Sequence, residues 1–224
     1  MKPIIAANWK MYKTNAQIKE FLELFRPRSD VDVWIAPPAT ALQLVAEAGI
    51  CTGAQNIYFE SRGAFTGEIS AELAAGAGAR FVIIGHSERR RLFGETQEQI
   101  EKKVQLAIEN SLIPLLCVGE TLEERKSGKT KSVLTSQLIK GFTGVIAYEP
   151  VWAIGTGQRP TPEMIEEAHR LCKEICNVPV LYGGSVTKES APELRVIKGV
   201  DGVLVGGASL EAASLMSIME GFAS

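Results

Sequence analysis

Two stretches, Phe81-Val82-Ile83-Ile84-Gly85-His86 and Ile113-Pro114-Leu115-Leu116-Cys117-Val118, decide how the chain is read. Both are continuous in apolar residues rather than alternating, the pattern of parallel strands buried on both faces. Between them Ile100, Val104, Ala107 and Ile108 recur at i, i+4, i+7 and i+8, which predicts an amphipathic helix. Strand, helix, strand is the repeating unit of an α/β fold.

Working outward, runs of the same kind stand at Pro3 to Ala7, Val31 to Ala36, Val145 to Tyr148, Val178 to Leu181 and Val203 to Val205, with a weaker one at Ile50 to Ala54. That makes eight. Thr161-Pro162 supplies an N-cap and a first-turn proline for a further helix carrying Ile165, Ala168, Cys172 and Ile175. No Ser/Gly/Pro-rich linker or charge block divides residues 1–224, so one α/β domain is expected. Eight units of roughly 28 residues favour a closed (βα)8 barrel over an open doubly wound sheet.

Composition removes several classes of function. With 46% hydrophobic and 22% charged residues the chain can bury a large core. Lysine and arginine number 24 against 26 acidic residues, a net charge of −2, which lacks the basic footprint of nucleic-acid or anionic-membrane binding. The first apolar run stops at Asn8, too short for a signal peptide, and nothing approaches the roughly 18 apolar residues of a membrane span. A soluble, cytoplasmic protein with no nucleic-acid or membrane partner is expected. Cys51, Cys117, Cys172 and Cys176 are read as buried, reduced thiols rather than metal ligands or a disulfide.

In either α/β architecture the ligand face lies at the carboxyl ends of the strands. Asn8 and Lys10 stand there after the first run, His86-Ser87-Glu88-Arg89 after the fourth, Gly119-Glu120 after the fifth and Glu149-Pro150 after the sixth. Gly183-Gly184-Ser185 and Gly206-Gly207 follow the last two. Paired glycines let backbone N–H groups approach a phosphate, though they also make tight turns. Lys10 is either a surface cation or the main positive charge for an anionic substrate. His86, at an expected helix N-terminus that lowers its pKa, is either a structural histidine or a neutral hydrogen-bond donor to substrate. Glu149 is either an ordinary surface acid or a base whose pKa desolvation raises. The apolar segment Pro150 to Gly157 is either packed on the rim or a lid that excludes water. His169, inside a regular helix, is read as structural or solvated.

Taken together, Ala7-Asn8-Trp9-Lys10-Met11, Gly63-Ala64-Phe65-Thr66-Gly67-Glu68-Ile69-Ser70, Ile84-Gly85-His86-Ser87-Glu88-Arg89-Arg90 and Tyr148-Glu149-Pro150-Val151-Trp152-Ala153-Ile154-Gly155-Thr156-Gly157 resemble the triosephosphate isomerase family. Tyr182-Gly183-Gly184-Ser185-Val186 and Val205-Gly206-Gly207-Ala208-Ser209 extend the resemblance to the last helix. It implies a TIM barrel that interconverts dihydroxyacetone phosphate and D-glyceraldehyde 3-phosphate, a step of glycolysis and gluconeogenesis, without metal or organic cofactor. Glu149 would be the base, neutral His86 the electrophile and Lys10 the electrostatic stabiliser, with Asn8 positioning substrate. Gly155, Ser185, Gly206 and Gly207 would bind phosphate through N–H groups under a lid running from Pro150 to Pro160. Glu88 would stand behind the lysine, and Glu120 would partner Trp152 of the lid. A homodimer is implied, with the loop around Phe65-Thr66-Gly67 inserting into the neighbouring subunit and Thr66 touching its Asn8 region. The rival readings are another phosphate-binding barrel enzyme, such as a sugar-phosphate epimerase, and a non-catalytic phosphosugar-binding protein.

Two departures from the family pattern stand out. Between Lys131 and Val145 the chain is short, and Gly141 and Gly144 cut into the helix before strand six, which is expected to be abbreviated. The second lid hinge reads Gln158-Arg159-Pro160, where the family's tyrosine at Tyr182 would seek an N–H that proline lacks. Lid closure is therefore expected to lean on Ser185 and Gly157 rather than on Tyr182.

Overall fold

The computed structural model of the chain describes residues 1–154 and 158–223. Eight parallel strands close into a barrel in sequence order: β1 Ile4–Asn8, β2 Asp32–Ala36, β3 Cys51–Ala54, β4 Phe81–Ile84, β5 Ile113–Val118, β6 Val145–Tyr148, β7 Val180–Tyr182 and β8 Gly202–Val205. Pairing of Ile4 with Gly202 through Ala7 with Val205 completes the ring, so no strand edge is left open. Around it run α1 Asn15–Leu24, α2 Leu42–Glu47, α3 Ala71–Gly76, α4 Ser87–Leu92, α5 Gln97–Glu109, α6 Leu122–Lys126, α7 Thr130–Gln137, α8 Pro162–Ile175, α9 Ala191–Arg195 and α10 Ala212–Phe222.

Successive side chains of a strand face opposite ways, and here both faces are covered. Ile4, Ala6, Phe81, Ile83, Leu115, Cys117, Val145, Ala147, Leu181 and Leu204 fill the barrel interior. Their neighbours Ile5, Ala7, Val82, Ile84, Leu116, Ile146, Val203 and Val205 pack outward against the helices. This double burial is why the strands read as unbroken apolar runs. The same parity carried past the strand ends aims Asn8, Glu149, Gly183 and Gly206 at the barrel mouth. β3 is weakly written in the sequence because Gly53 must leave room for a neighbour: a Cβ there would lie 2.4 Å from the Phe81 ring.

Helix ends follow the sequence signals. Thr161 Oγ1 accepts the N–H of Met164 and Pro162 opens α8; Thr96 caps α5 in a reciprocal box with Gln99. The helix before β6 is short as expected, split into the five-residue α6 and the eight-residue α7, but Gly141 and Gly144 do not cut it: α7 ends ahead of them, where Leu138 turns extended. Brevity is not confined to that unit, since α2 and α3 have six residues each and α9 has five. All four cysteines are free, with Cys51 half-buried where full burial was expected. Among the described residues no helix is long and apolar enough to cross a membrane.

Candidate active site

The strand ends open onto a cavity of about 330 Å³ whose lining includes Asn8, Lys10, His86, Glu149, Ser185 and Gly206. Glu149 follows β6 and is 2% exposed, so its carboxylate depends on protein partners. Oε1 lies 2.9 Å from His86 Nε2, and Oε2 accepts the Ser87 N–H at 2.9 Å. Its backbone is wedged in place: a Cβ on Gly119 would come within 1.7 Å of the Glu149 carbonyl oxygen, so only glycine fits at that crossing.

His86 caps α4. Its Nδ1 accepts the Glu88 N–H at 3.2 Å, which leaves the proton of the neutral ring on Nε2, facing Glu149. Burial works against the imidazolium, but the Glu149 carboxylate outweighs it, and the His86 pKa moves up rather than down as expected from the helix terminus alone. Glu149 is likewise corrected. Burial pushes its pKa up, yet His86 and the Ser87 N–H together hold it below the ordinary carboxylate value. The contact between Glu149 and His86, which the sequence does not reveal, is the largest influence behind both reversals.

Lys10 Nζ donates to Glu88 Oε1 at 2.6 Å, the carboxylate expected behind it. Its side chain passes over the glycine pair, 3.5 Å from where a Gly206 Cβ would stand. The Lys10 backbone has a φ of +50°, a left-handed conformation that costs a non-glycine residue energy. Hydrogen bonds on both sides hold it there. Asn8 Oδ1 accepts the Lys10 N–H at 3.0 Å, and Gln55 Nε2 donates to the Lys10 carbonyl at 2.8 Å and to that of Ala36 at 3.0 Å. The sequence alone does not single out Gln55.

Around this centre, Ser185 Oγ donates to the Ala153 carbonyl at 2.7 Å, tying the loop after β7 to the segment after β6. Buried Glu120 accepts from Arg125 at 2.9 Å and from the Tyr148 hydroxyl at 3.0 Å, and its Oε2 has no hydrogen-bond partner among the described residues. Val151, beside Trp152, donates its N–H to the Glu120 carbonyl. Gly155 and Gly157 lie outside the described residues. Gly206 and Gly207 stand at the start of the 3-10 turn Gly207–Ser209, whose Ser209 carbonyl accepts the Trp9 indole N–H.

A family model described as triosephosphate isomerase matches residues 3–222. The chain belongs to the triosephosphate isomerase family. Curated triosephosphate isomerases from Carboxydothermus hydrogenoformans and Solibacter usitatus are each 45% identical to it, the first aligned over 98% of both chains and the second over 97% of this chain and 98% of its own. The crystal structure of triosephosphate isomerase from Bartonella henselae superposes with a TM-score of 0.86 at 37% identity, covering 99% of each chain. The Carboxydothermus alignment runs over 247 positions against 224 residues here, leaving at least 23 positions of that relative without a counterpart. The chain is therefore shorter than that relative overall.

Set in a triosephosphate isomerase frame, Thr66 is exposed on the long loop after β3, where Phe65 packs on Tyr58 with ring centroids 4.7 Å apart. The foot of that loop rests on buried groups that sequence reasoning missed. Lys103 bonds Glu95 and, at 2.7 Å, Asn56 Oδ1, while Arg89 of α4 donates to Glu95 at 3.2 Å. Spacing gives no hint of this cluster, because Lys103 belongs to a helix whose other charges face solvent. His169 proves fully buried, with Nδ1 3.1 Å from the Gly199 carbonyl, the structural alternative of the two offered for it.

Proposed function

We propose that the chain interconverts dihydroxyacetone phosphate and D-glyceraldehyde 3-phosphate with Glu149, His86 and Lys10 as its catalytic groups. The observation that carries this reading is the buried Glu149 carboxylate against His86 Nε2, at the mouth of a cavity shared with Lys10 and the glycine pairs. Glu149 takes the proton from C1 of the ketose, and the electron pair moves through C1–C2 onto the carbonyl oxygen. His86 donates from Nε2 to that oxygen and carries protons between the two oxygens of the enediolate. Glu149 then returns its proton to C2. Lys10 offsets the negative charge of intermediate and phosphate, and Asn8 orients the substrate. Phosphate rests on N–H groups of Ser185, Gly206, Gly207 and Gly155. A glutamate base working beside a histidine kept neutral is the established chemistry of triosephosphate isomerases, and these roles follow it.

The resting contact has to give way for this to happen. A substrate oxygen takes the place of Glu149 at His86 Nε2, and the carboxylate turns toward carbon. Leaving His86 and the Ser87 N–H removes what holds its pKa down while burial remains, so it becomes a stronger base as it moves. His86 loses the carboxylate that favours its charged form and stays neutral.

The loop from Pro150 to Pro160 closes over bound substrate, with Trp152 meeting Glu120, and keeps the enediolate from losing phosphate to water-assisted elimination. A homodimer is supported by the exposed apolar residues Met11, Tyr12, Phe65, Leu92 and Phe93, with Thr66 reaching the partner's Asn8 region. The cytoplasm is the setting this reading implies. A coupled assay supplying D-glyceraldehyde 3-phosphate tests the whole: turnover abolished by Glu149→Gln supports it, and a folded chain without turnover overturns it.

A further inference from the structure

One short stretch after β7 holds both ends of the loop that spans β6 and α8. At the near end Ser185 Oγ donates to the Ala153 carbonyl at 2.7 Å. At the far end Arg159 meets the same stretch two residues further along: its NH2 donates to Thr187 Oγ1 at 3.3 Å, and its NH1 lies 3.9 Å from Glu193 Oε2 at the start of α9. Thr187 is itself fixed. Its N–H donates to Ser190 Oγ at 2.9 Å, its Oγ1 accepts the Ser190 N–H at 3.3 Å, and Ser190 is buried. Both Ser185 and Thr187 line the cavity. Pro160, the next residue after Arg159, is buried and has no N–H, so the main chain cannot supply a tie at that position.

We infer that Arg159 is a positioning residue for the reaction, registering the carboxyl end of the Pro150 to Pro160 loop against the phosphate-binding turn through Thr187. Two anchors on one turn mean that a phosphate held by that turn is sensed at both ends of the loop. The Arg159 charge also acts on the buried Tyr182 phenol, favouring its ionised form against the larger effect of burial. The inference rests on the isomerase reading above. The bond to Thr187 carries the registration; the longer approach to exposed Glu193 adds little.

The test uses the full chain and four variants: Arg159→Ala, Thr187→Val, the double variant and Thr187→Ser. KM, kcat and inorganic phosphate released per isomerisation event are measured, with melting temperatures as a folding check. Arg159→Ala and Thr187→Val should each raise KM and phosphate release by about 2- to 5-fold, the lower part of what one hydrogen bond is worth because this one is exposed, with kcat changed less. The double variant should be no worse than either single one, and Thr187→Ser should match the parent. Unchanged KM and phosphate release in Arg159→Ala, multiplying effects in the double variant, or a serine variant as impaired as the valine one would each overturn the inference. A parent chain that fails to isomerise would instead overturn the function on which it rests.

Discussion

Glu149 Oε1 sits 2.9 Å from His86 Nε2, so the two groups proposed as base and electrophile occupy each other. That contact sets the electrostatics of the site. It raises the pKa of His86 and lowers that of Glu149, against the effect of burial on each.

The first prediction concerns pH. The free protein must hold His86 neutral to receive substrate, and its raised pKa means that the competent form is lost as pH falls through a value above 6.5. Once substrate separates the pair, that upward push is gone. The acid limb of kcat/KM should therefore lie at higher pH than the acid limb of kcat, both belonging to the coupled pair rather than to either residue alone. Coincident limbs would show that the contact does not persist in solution.

Glu149→Gln and His86→Gln should each lower kcat by at least about 10²-fold, the loss expected for an acid–base group. Near-parental rates in purified variants would remove these residues from the mechanism.

Gln55→Leu removes the donor that holds the carbonyl side of Lys10, whose left-handed backbone stores about 1–3 kcal/mol of strain that its release would offset against the lost hydrogen bonds. We expect kcat/KM to fall about 10-fold with the melting temperature nearly unchanged. A fall in stability without a change in kinetics would make Gln55 a packing residue only.

Burial lowers the His169 pKa to about 4, so the folded chain resists protonation that the unfolded chain accepts near 6.5. Stability from this group is complete above pH 6.5 and is lost as pH falls toward 4. By pH 4.5 the loss is on the order of 2–3 kcal/mol. Urea unfolding at pH 7 and pH 4.5 should show His169→Gln losing less stability with acid than the parent by about that amount; equal losses would contradict the assignment.

Met11, Tyr12 and Phe93 are exposed large apolar residues, as is Phe65 on the loop proposed to enter the neighbouring subunit. Replacing Phe65 and Met11 by aspartate should convert a dimer to monomer in light scattering at micromolar concentration. An unchanged mass would place the interface elsewhere.

The barrel was legible because burial on both faces writes a strand as an uninterrupted apolar run, and because Thr161-Pro162 and Thr96 mark helix starts by chemistry alone. Candidate site residues stood out by position at strand ends and by family resemblance. What sequence could not carry was contact between distant side chains. Nothing in the spacing says that Lys10 adopts a positive φ held by Gln55, that Glu149 rests on His86, or that Arg159 meets Thr187. The pKa directions failed for this reason: the helix terminus at His86 and the burial of Glu149 were foreseen, and the partner of each was not.

The alternation of inward and outward residues along each strand has a consequence for how such a chain can change length. Removing one residue from β6 would turn Glu149 out of the mouth and send Ile146 into the barrel interior, so the strands tolerate no frameshift. The outer helices obey no such count. Trimming them shifts surface, not phase, and an ancestor could shed whole turns there while every side chain at the mouth kept its aim.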